Sequence, residues 1–272
     1  MLRKSCYLIA AVLAVLPVGA EARIYYTITA EPENGAFIEN RALCSPKINS
    51  GGSLLELGQR YPGKCEGGGI APEIVGTQTY LKHLWFRNDP NYRGVSKTRT
   101  ELAVTQRYFP FNERVYLGFR MMIPRGTDIT VGSAFYMLQL WQCAGAAPIA
   151  GIRLEEGTSH RVQFMTRGDF RQGSFVSHNM LPGVWHRFIV SIIARPRNGG
   201  EMKVWIDQNP DPVIDTNSFG FFNVDTCVPG HRPPQHFRVK FGIYKDTESR
   251  KYFDVRYDDF RIGSSYRSVM PW

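Results

Sequence analysis

Short runs in which apolar and polar residues alternate recur along most of the chain, whereas helical periodicity is scarce. Alternation with a period of two is typical of strands that bury one face. Turn-forming residues separate the runs, for example at Pro182-Gly183 and Asn198-Gly199-Gly200. We therefore predict strands over 23–29, 79–87, 98–107, 114–123, 134–142, 150–155, 161–166, 184–194, 201–207, 237–244 and 252–262.

Strands of this number and length predict an all-β fold in which two antiparallel sheets pack as a jelly-roll sandwich. Sandwiches commonly run to about 250 residues as one unit, so the length does not require a second domain. The chain shows no internal repeat, no low-complexity tract and no linker suited to divide domains. We therefore expect a single domain over 23–272.

Alternation also divides the residues of a strand between its two faces. In 237–244 we expect the apolar set to lie in the core, and this set consists of Phe237, Val239, Phe241 and Ile243. The opposite face then carries Arg238, Lys240 and Tyr244, with Gly242 between them. That face is polar and basic.

Two further strands present polar or aromatic rows. In 98–107 the row consists of Arg99, Glu101 and Thr105, opposite Leu102 and Val104. In 134–142 it consists of Phe135, Met137, Gln139 and Trp141. If the three rows lie side by side, they line a groove on one sheet.

The composition is that of a globular chain, because 43% of the 272 residues are hydrophobic and 21% are charged. These values exclude a disordered or collagen-like chain. The formal net charge of +9 creates a basic field, which attracts acidic polysaccharides, anionic lipid surfaces or nucleic acid. Charge that only keeps the protein soluble is the alternative. The basic and aromatic residues match no nucleic-acid module, so we expect no nucleic-acid partner.

The first 22 residues have the features of a secretory signal. Arg3 and Lys4 form a basic start, 8–18 is apolar, and 20–22 offers small residues at the usual cleavage spacing. The apolar run is shorter than the roughly 20 residues of a membrane-spanning helix. We therefore predict cleavage near Ala22 and a mature monomer that is secreted or periplasmic, with no membrane attachment. Loss of Arg3, Lys4 and Glu21 changes the net charge from +9 to +8 (9 − 2 + 1).

Export would place the cysteines in an oxidising compartment. Cys6 leaves with the signal, and the four that remain, Cys44, Cys65, Cys143 and Cys227, can pair in three ways. We favour Cys44 with Cys65, which bracket a Gly-rich loop, and Cys143 with Cys227; closing the first loop contributes about 3 kcal/mol. Metal ligation is the weaker alternative, because no CxxC or HxxxH spacing occurs. The sequence indicates no cofactor and leaves a structural calcium ion open.

Three segments resemble strands of the jelly-roll polysaccharide lyases, the group that holds alginate lyases, heparin lyase I-like enzymes and glucuronan lyases. In the family's order, Arg99-Thr100-Glu101-Leu102 is similar to the RxEL strand, Gln139-Leu140-Trp141 to the QxH strand, and 240–244 to the KxGxY strand. Two stretches, 185–207 and 257–263, are similar to strands of the wider concanavalin-like sandwich group. The resemblance spans about 79–263 and implies a lyase that cleaves an anionic, uronate-containing polysaccharide by β-elimination.

Two positions depart from the family's pattern. The histidine of QxH is Trp141 here, and the tyrosine that alginate lyases place two residues before the lysine is Arg238. In glucuronan lyases an earlier strand contributes the base histidine, and His83 is the best match for that arrangement. His160 and His178 are alternatives for the base or for substrate binding.

The resemblance also implies how the uronate is bound. β-Elimination removes the proton beside the carboxylate, so negative charge builds on that group. Preorganised donors stabilise such charge, and we expect Gln139 and Arg99 to bind the carboxylate. Glu101 would hold Arg99 in place by an ion pair.

Proton transfer requires a base and an acid near the reacting carbon. We expect His83 as the base and Tyr244 as the acid, or Tyr244 in both roles, with both side chains beside Gln139 on one sheet. Lys240 would favour the tyrosinate by its charge or bind a neighbouring carboxylate.

Other interpretations stay open. Trp141 is either core or a platform for a sugar ring, and Arg238 is expected to bind substrate.

Because the QxH histidine is missing, a non-catalytic module that binds acidic glycans is an alternative to an enzyme. A glycoside hydrolase on the same fold is another, although adjacent carboxylates such as Asp258-Asp259 point to opposite faces of a strand. The sequence leaves open which uronate polymer is cleaved and whether the cleavage is endo or exo.

Overall fold

The computed structural model of the chain describes residues 22–28, 53–56, 59–66, 68–74, 82–88, 97–104, 108–127, 136–142, 148–154, 161–166, 174–195, 199–219, 236–246 and 254–271. The first nine strands are β1 (Ile24–Ile28), β2 (Ser53–Glu56), β3 (Gln59–Glu66), β4 (Gly68–Ile74), β5 (Lys82–Asn88), β6 (Lys97–Ala103), β7 (Phe109–Pro110), β8 (Arg114–Met122) and β9 (Tyr136–Trp141). The others are β10 (Ala150–Leu154), β11 (Arg161–Thr166), β12 (Ser174–Asn179), β13 (His186–Ile193), β14 (Gly200–Ile206), β15 (Ile214–Phe219), β16 (His236–Asp246) and β17 (Asp254–Gly263), followed by a short helix, α1 (Tyr266–Val269).

The described strands form two antiparallel sheets. The first sheet contains eight of them, in the order β15-β14-β13-β8-β17-β5-β4, with β1 paired to β17. The second sheet contains nine, in the order β12-β11-β10-β9-β16-β6-β3-β2, with β7 paired to β16. Several neighbours are distant in sequence, as in a jelly roll. The predicted all-β sandwich is therefore confirmed. Within the described ranges, no helix is long and apolar enough to cross a membrane.

The core between the sheets is built on stacked aromatic rings. Phe119 stacks on Phe188 at 5.2 Å between ring centroids and on Phe260 at 5.3 Å, and these three rings belong to the first sheet. Phe260 also stacks at 4.1 Å on Phe241, which belongs to the second sheet. Aromatic pairs of this kind contribute about 0.5–1.5 kcal/mol beyond the burial of their area. The rings therefore join β16 firmly to β17.

The faces predicted for β16 are confirmed. The four apolar residues are fully buried: Phe237, Val239, Phe241 and Ile243. The three polar residues of the other face are partly exposed: Arg238, Lys240 and Tyr244. The strand therefore has one core face and one polar face.

Among the described residues of the row predicted for β9, Met137 is on the wrong face, because a β-bulge interrupts the alternation; Phe135 lies outside the described residues. Against β10, Leu138 lies opposite Ile152 and Tyr136 lies opposite Arg153, so Met137 is the extra residue of β9. The pairing of β9 with β16 is also irregular at this point, where Gly242 and Ile243 of β16 lie opposite Met137. As a result Met137, which was expected beside Gln139, packs in the core instead. An extra residue in one strand shifts the phase of the side chains beyond it.

The C-terminal segment packs closely on the first sheet at Gly118 of β8. A β-carbon added at Gly118 would lie 1.7 Å from the carbonyl oxygen of Val269 in α1.

A Gly118→Ala substitution must therefore displace α1, and we expect it to lower the free energy of unfolding by about 1–3 kcal/mol. Urea denaturation measures this loss. Leu181→Ala removes an exposed side chain and is the control, with an expected change within about 0.5 kcal/mol; equal stability of the two variants would contradict the prediction.

Candidate active site

The three strands that carry the lyase-like motifs are neighbours in the second sheet. β16 pairs with β9 on one side and with β6 on the other. Lys240 lies opposite Gln139, and Gly242 lies opposite Glu101. Residues opposite each other in an antiparallel pair share a face, so the polar rows of these strands lie side by side. We call this surface the polar face; its described side chains are Glu101, Tyr136, Gln139, Trp141, Arg238, Lys240 and Tyr244.

A buried hydrogen bond links Gln139 to Glu101. The side-chain amide of Gln139 donates from Nε2 to Oε1 of Glu101, and both side chains are buried. A carboxylate accepts but does not donate hydrogen bonds, so it selects the NH₂ end of the amide. Because that NH₂ group carries two N–H donors, one donor remains for a second acceptor. Glu101 therefore fixes the orientation of the Gln139 amide.

This partner of Glu101 differs from the predicted one. The sequence led us to expect an ion pair between Glu101 and Arg99. The backbone of Arg99 lies on β6 opposite Tyr244, and its side chain is outside the described part of the structure. The ion pair therefore stays a prediction, whereas the bond to Gln139 is observed.

Gly242 makes room for the bond between Gln139 and Glu101. Their strands flank β16, so the bond crosses that strand, and Gly242 lies directly opposite Glu101. A side chain at this position would occupy the polar face where the two side chains meet. Gly242 also has φ of 128°, which residues with a β-carbon rarely adopt. Glycine is therefore favoured at this position of the KxGxY strand both by the space available and by the backbone conformation.

Trp141 holds two cations beside the amide. The Arg238 guanidinium carbon lies 4.5 Å from the Trp141 ring centroid, and Lys240 Nζ lies 4.1 Å from it. The same guanidinium lies 5.3 Å from the ring centroid of Tyr108. Cation–π contacts of this kind contribute about 0.5–2 kcal/mol. Trp141 is partly exposed, so it is not a core residue, and it orders the positive charge of the polar face.

Arg238 retains donors for a ligand. Within the described residues it forms no ion pair, and its Nε is buried without a hydrogen-bond partner. A guanidinium presents a planar set of donors that fits a carboxylate. Arg238 can therefore bind an anionic group that reaches the polar face.

Two tyrosines stack at the other end of the polar face. The rings of Tyr136 and Tyr244 lie 6.4 Å apart at 27°. The Tyr136 hydroxyl is buried and contacts Sδ of Met165 at 3.2 Å, whereas Tyr244 is partly exposed. Tyr244 is thus the phenol that a ligand can reach. Sequence reasoning missed Tyr136, because simple alternation turns this side chain toward the core. No residue in the sequence of β9 indicates that the strand contains a bulge.

The structure separates His83 from the polar face. His83 lies on β5, which is hydrogen-bonded between β4 and β17 in the first sheet. Gln139 and Tyr244 lie in the second sheet. The expectation that the three side chains share one sheet is therefore wrong. Spacing along the chain identified a strand with a histidine but could not tell which sheet that strand joins.

The other two candidate histidines do not lie beside Gln139 in the described structure. His160 is outside the described residues. His178 lies on β12, at the edge of the second sheet and three strands from β9. Burial lowers the pKa of His178, nearby His186 lowers it further, and Asp207 opposes this effect. His178 therefore belongs to a cluster at the edge of the sandwich.

His236 was not predicted and lies at the start of β16. Its ring contacts Tyr108 edge-on at 4.4 Å. Burial and the charge of Arg238 lower the pKa of His236, so its imidazole is neutral at pH 7. It is four residues from Lys240, which corresponds to about 13 Å along a strand. Tyr244 is also four residues from Lys240, in the other direction, so His236 and Tyr244 lie at the two ends of the polar face along β16.

The remaining candidates do not join this site. Asp258 and Asp259 lie on β17 of the first sheet, and both carboxylates contact Arg120, so the expectation that they point to opposite faces is wrong. The pairing of β17 with β8 is irregular between Asp258 and Arg261, which interrupts the alternation. Among the described residues, no group of three or more His, Cys, Asp or Glu side chains could hold a metal ion. Cys65 lies on β3, and the other predicted disulfide partners, Cys44, Cys143 and Cys227, are outside the described residues. The disulfide pairing stays a prediction.

Comparisons with known proteins agree on the fold. The structure of an endo-β-1,4-glucuronan lyase from the fungus Trichoderma reesei is similar, with a TM-score of 0.54, 16% identity, and coverage of 74% of this chain and 89% of that chain. Cellulose induced protein Cip1 has a TM-score of 0.50, 14% identity, and coverage of 75% and 91%. A family 7 alginate lyase, A1-II′, has a TM-score of 0.50, 9% identity, and coverage of 72% and 81%. No curated protein matches the sequence.

A match to a family model gives more direct evidence of the family than similarity of fold. The family model described as "Polysaccharide lyase" matches residues 71–261, which include all three lyase-like motifs and both strands that flank β16. The match covers 191 of the 272 residues (261 − 71 + 1). The chain belongs to the polysaccharide lyase family and is an enzyme of that class.

Proposed function

We propose that the protein cleaves a uronate-containing polysaccharide by β-elimination on the polar face of the second sheet. The observation that carries this proposal is the oriented Gln139 amide, which lies beside Lys240 and on the same face as Tyr244. Among the similar structures are a glucuronan lyase and an alginate lyase, which supports a polymer of acidic sugars as the substrate. The basic net charge of the chain supports the same choice.

Binding of the uronate carboxylate would use the donors on this face. The second N–H of the Gln139 amide would donate to the carboxylate, and Lys240 and Arg238 would supply positive charge. Charge grows on the carboxylate as the neighbouring proton leaves, so donors fixed in advance bind the transition state more strongly than the ground state. Arg99 is a further candidate for the same contact.

Proton transfer would use Tyr244. As tyrosinate it takes the proton from the carbon beside the carboxylate, and the electron pair of that C–H bond forms the new C=C bond. The bond to the glycosidic oxygen breaks, and the same phenol returns the proton to that oxygen. Because His83 lies in the other sheet, Tyr244 serves both steps in this proposal.

A panel of polyuronates tests the proposal. Glucuronan, alginate, polygalacturonate and a heparin-like glycan are each incubated with the protein, and the ultraviolet absorbance of the unsaturated uronyl product is followed. We expect absorbance and new reducing ends to rise together with at least one polymer. New reducing ends without absorbance would indicate hydrolysis, and binding without either signal would contradict catalysis.

Export through the signal at 1–22 is tested separately, by the N-terminal sequence of the secreted protein.

A further inference from the structure

Tyr257 reaches from the first sheet across the core to the two strands that carry the site. It lies on β17 and is fully buried. Its hydroxyl donates to the main-chain carbonyl of Met137 over 2.7 Å. The main chain of Gly242 hydrogen-bonds the same phenol. One side chain therefore connects β9 and β16 at the point where their pairing is irregular.

The bulge at Met137 decides which side chain reaches the polar face. Regular alternation would turn Met137 outward and Tyr136 into the core. With the bulge, Met137 packs in the core and Tyr136 stacks on Tyr244. A bulged residue leaves the regular hydrogen-bond ladder, so its buried carbonyl needs another donor. Tyr257 supplies that donor.

The surroundings of Tyr257 keep this bond in place. Burial raises the pKa of the phenol well above its ordinary value, with Gly242 opposing the shift and the charge of Glu101 adding to it. The hydroxyl therefore stays protonated and able to donate over the pH range of most enzymes. The ring is held by Phe241, edge-on at 5.3 Å, and by Phe119 at 6.0 Å. Loss of the hydroxyl alone would leave this packing intact.

We propose that Tyr257 is a positioning residue for the reaction. Its hydroxyl fixes the bulge at Met137 and Gly242, and through the bulge it sets the place of the Tyr136–Tyr244 pair relative to Gln139. The effect on catalysis rests on the proposed function, whereas the effect on the bulge does not. A residue of the sheet behind the site thus controls the geometry of the site.

Tyr257→Phe tests the proposal in the full-length protein. We expect the variant to fold, with amide hydrogen exchange at Gly242 accelerated roughly tenfold, the equivalent of one lost hydrogen bond. We also expect kcat to fall about tenfold while KM changes less than about twofold, since misplacement of a reacting group affects the chemical step. The exchange rate is measured by NMR and the kinetics on the best polyuronate.

Ile262→Val is the matched control. Ile262 is also a fully buried residue of β17, but it lies opposite Leu117, away from the bulge. The Ile262→Val variant should be less stable than the wild type, with no change in kcat or in amide hydrogen exchange at Gly242. Unchanged exchange at Gly242 in Tyr257→Phe would overturn the inference whatever the substrate is, and faster exchange with an unchanged kcat would overturn its catalytic part. If the wild-type protein eliminates no polyuronate, the proposed function fails, and the exchange rate still decides whether Tyr257 fixes the bulge.

Discussion

Replacing Tyr244 with Phe should lower kcat for the elimination by about 100- to 10,000-fold, the range that a general acid–base group contributes. The variant keeps an aromatic ring that can stack on Tyr136, 6.4 Å away, so the loss isolates the hydroxyl. The initial rate of formation of the unsaturated product gives kcat. Calorimetric titration with an oligouronate should show nearly unchanged binding, because the carboxylate donors are untouched.

Two tyrosine variants serve as controls for Tyr244→Phe. Tyr116 lies on β8 of the first sheet, opposite Ser191, and Tyr116→Phe should leave kcat unchanged. Tyr136→Phe removes a hydroxyl that contacts Met165 on the polar face, so its effect should be much smaller than that of Tyr244→Phe. If Tyr244→Phe keeps more than about a tenth of the wild-type kcat, Tyr244 is not the acid–base group.

The sequence predicted eleven of the seventeen described strands and missed six. Each of the eleven predicted strands overlaps an observed one. The missed strands are β2, β3, β4, β7, β12 and β15. β3 and β4 contain Pro62, Gly63 and Pro72, residues that favour turns over strands. Pairing with β6 and β5 keeps these segments extended, and this cross-strand pairing leaves no signal in the residues of the segments themselves.

The site was predictable only where one strand determines the arrangement. Alternation in β16 correctly placed Arg238, Lys240 and Tyr244 on one face, because that strand has no break in its own alternation. The phase of β9 changed at Met137, because the bulge depends on Tyr257, a residue 120 positions away. The sheet that His83 joins depends equally on distant pairing. Local pattern therefore identified the chemistry but not the contacts that orient it.

For identifying the site, the order of the three motifs along the chain was more informative than any single motif. β6, β9 and β16 are separated by long stretches of chain, yet β16 lies between the other two. The sequence left this adjacency as an assumption, because composition and periodicity alone could not establish it. The Gln139–Glu101 bond is the finding that the adjacency adds, since it joins two motifs that the sequence treated separately.

Gln139→Ala should lower kcat by about 100- to 1,000-fold, the usual effect of removing one preorganised donor from a developing negative charge. The physical reason is that water, which would enter in place of the amide, must reorganise as charge builds on the carboxylate. The effect should fall on kcat more than on KM, because the ground-state carboxylate keeps Lys240 and Arg238 as partners. Steady-state kinetics on the best polyuronate separate the two parameters.

Glu101→Gln tests whether the orientation of the amide matters in addition to its presence. The new side chain has nearly the same shape, but its amide can offer either an acceptor or a donor to Gln139, so it no longer selects the NH₂ end. We expect an intermediate loss of kcat, about tenfold, since the amide of Gln139 is present but free to turn. Gln163→Ala is the matched control, because Gln163 is a buried amide in the same sheet that binds Arg153 at 2.8 Å instead. A loss in Gln163→Ala equal to that in Gln139→Ala would show that any buried amide of this sheet has the same effect, and that Gln139 has no special part in binding the carboxylate.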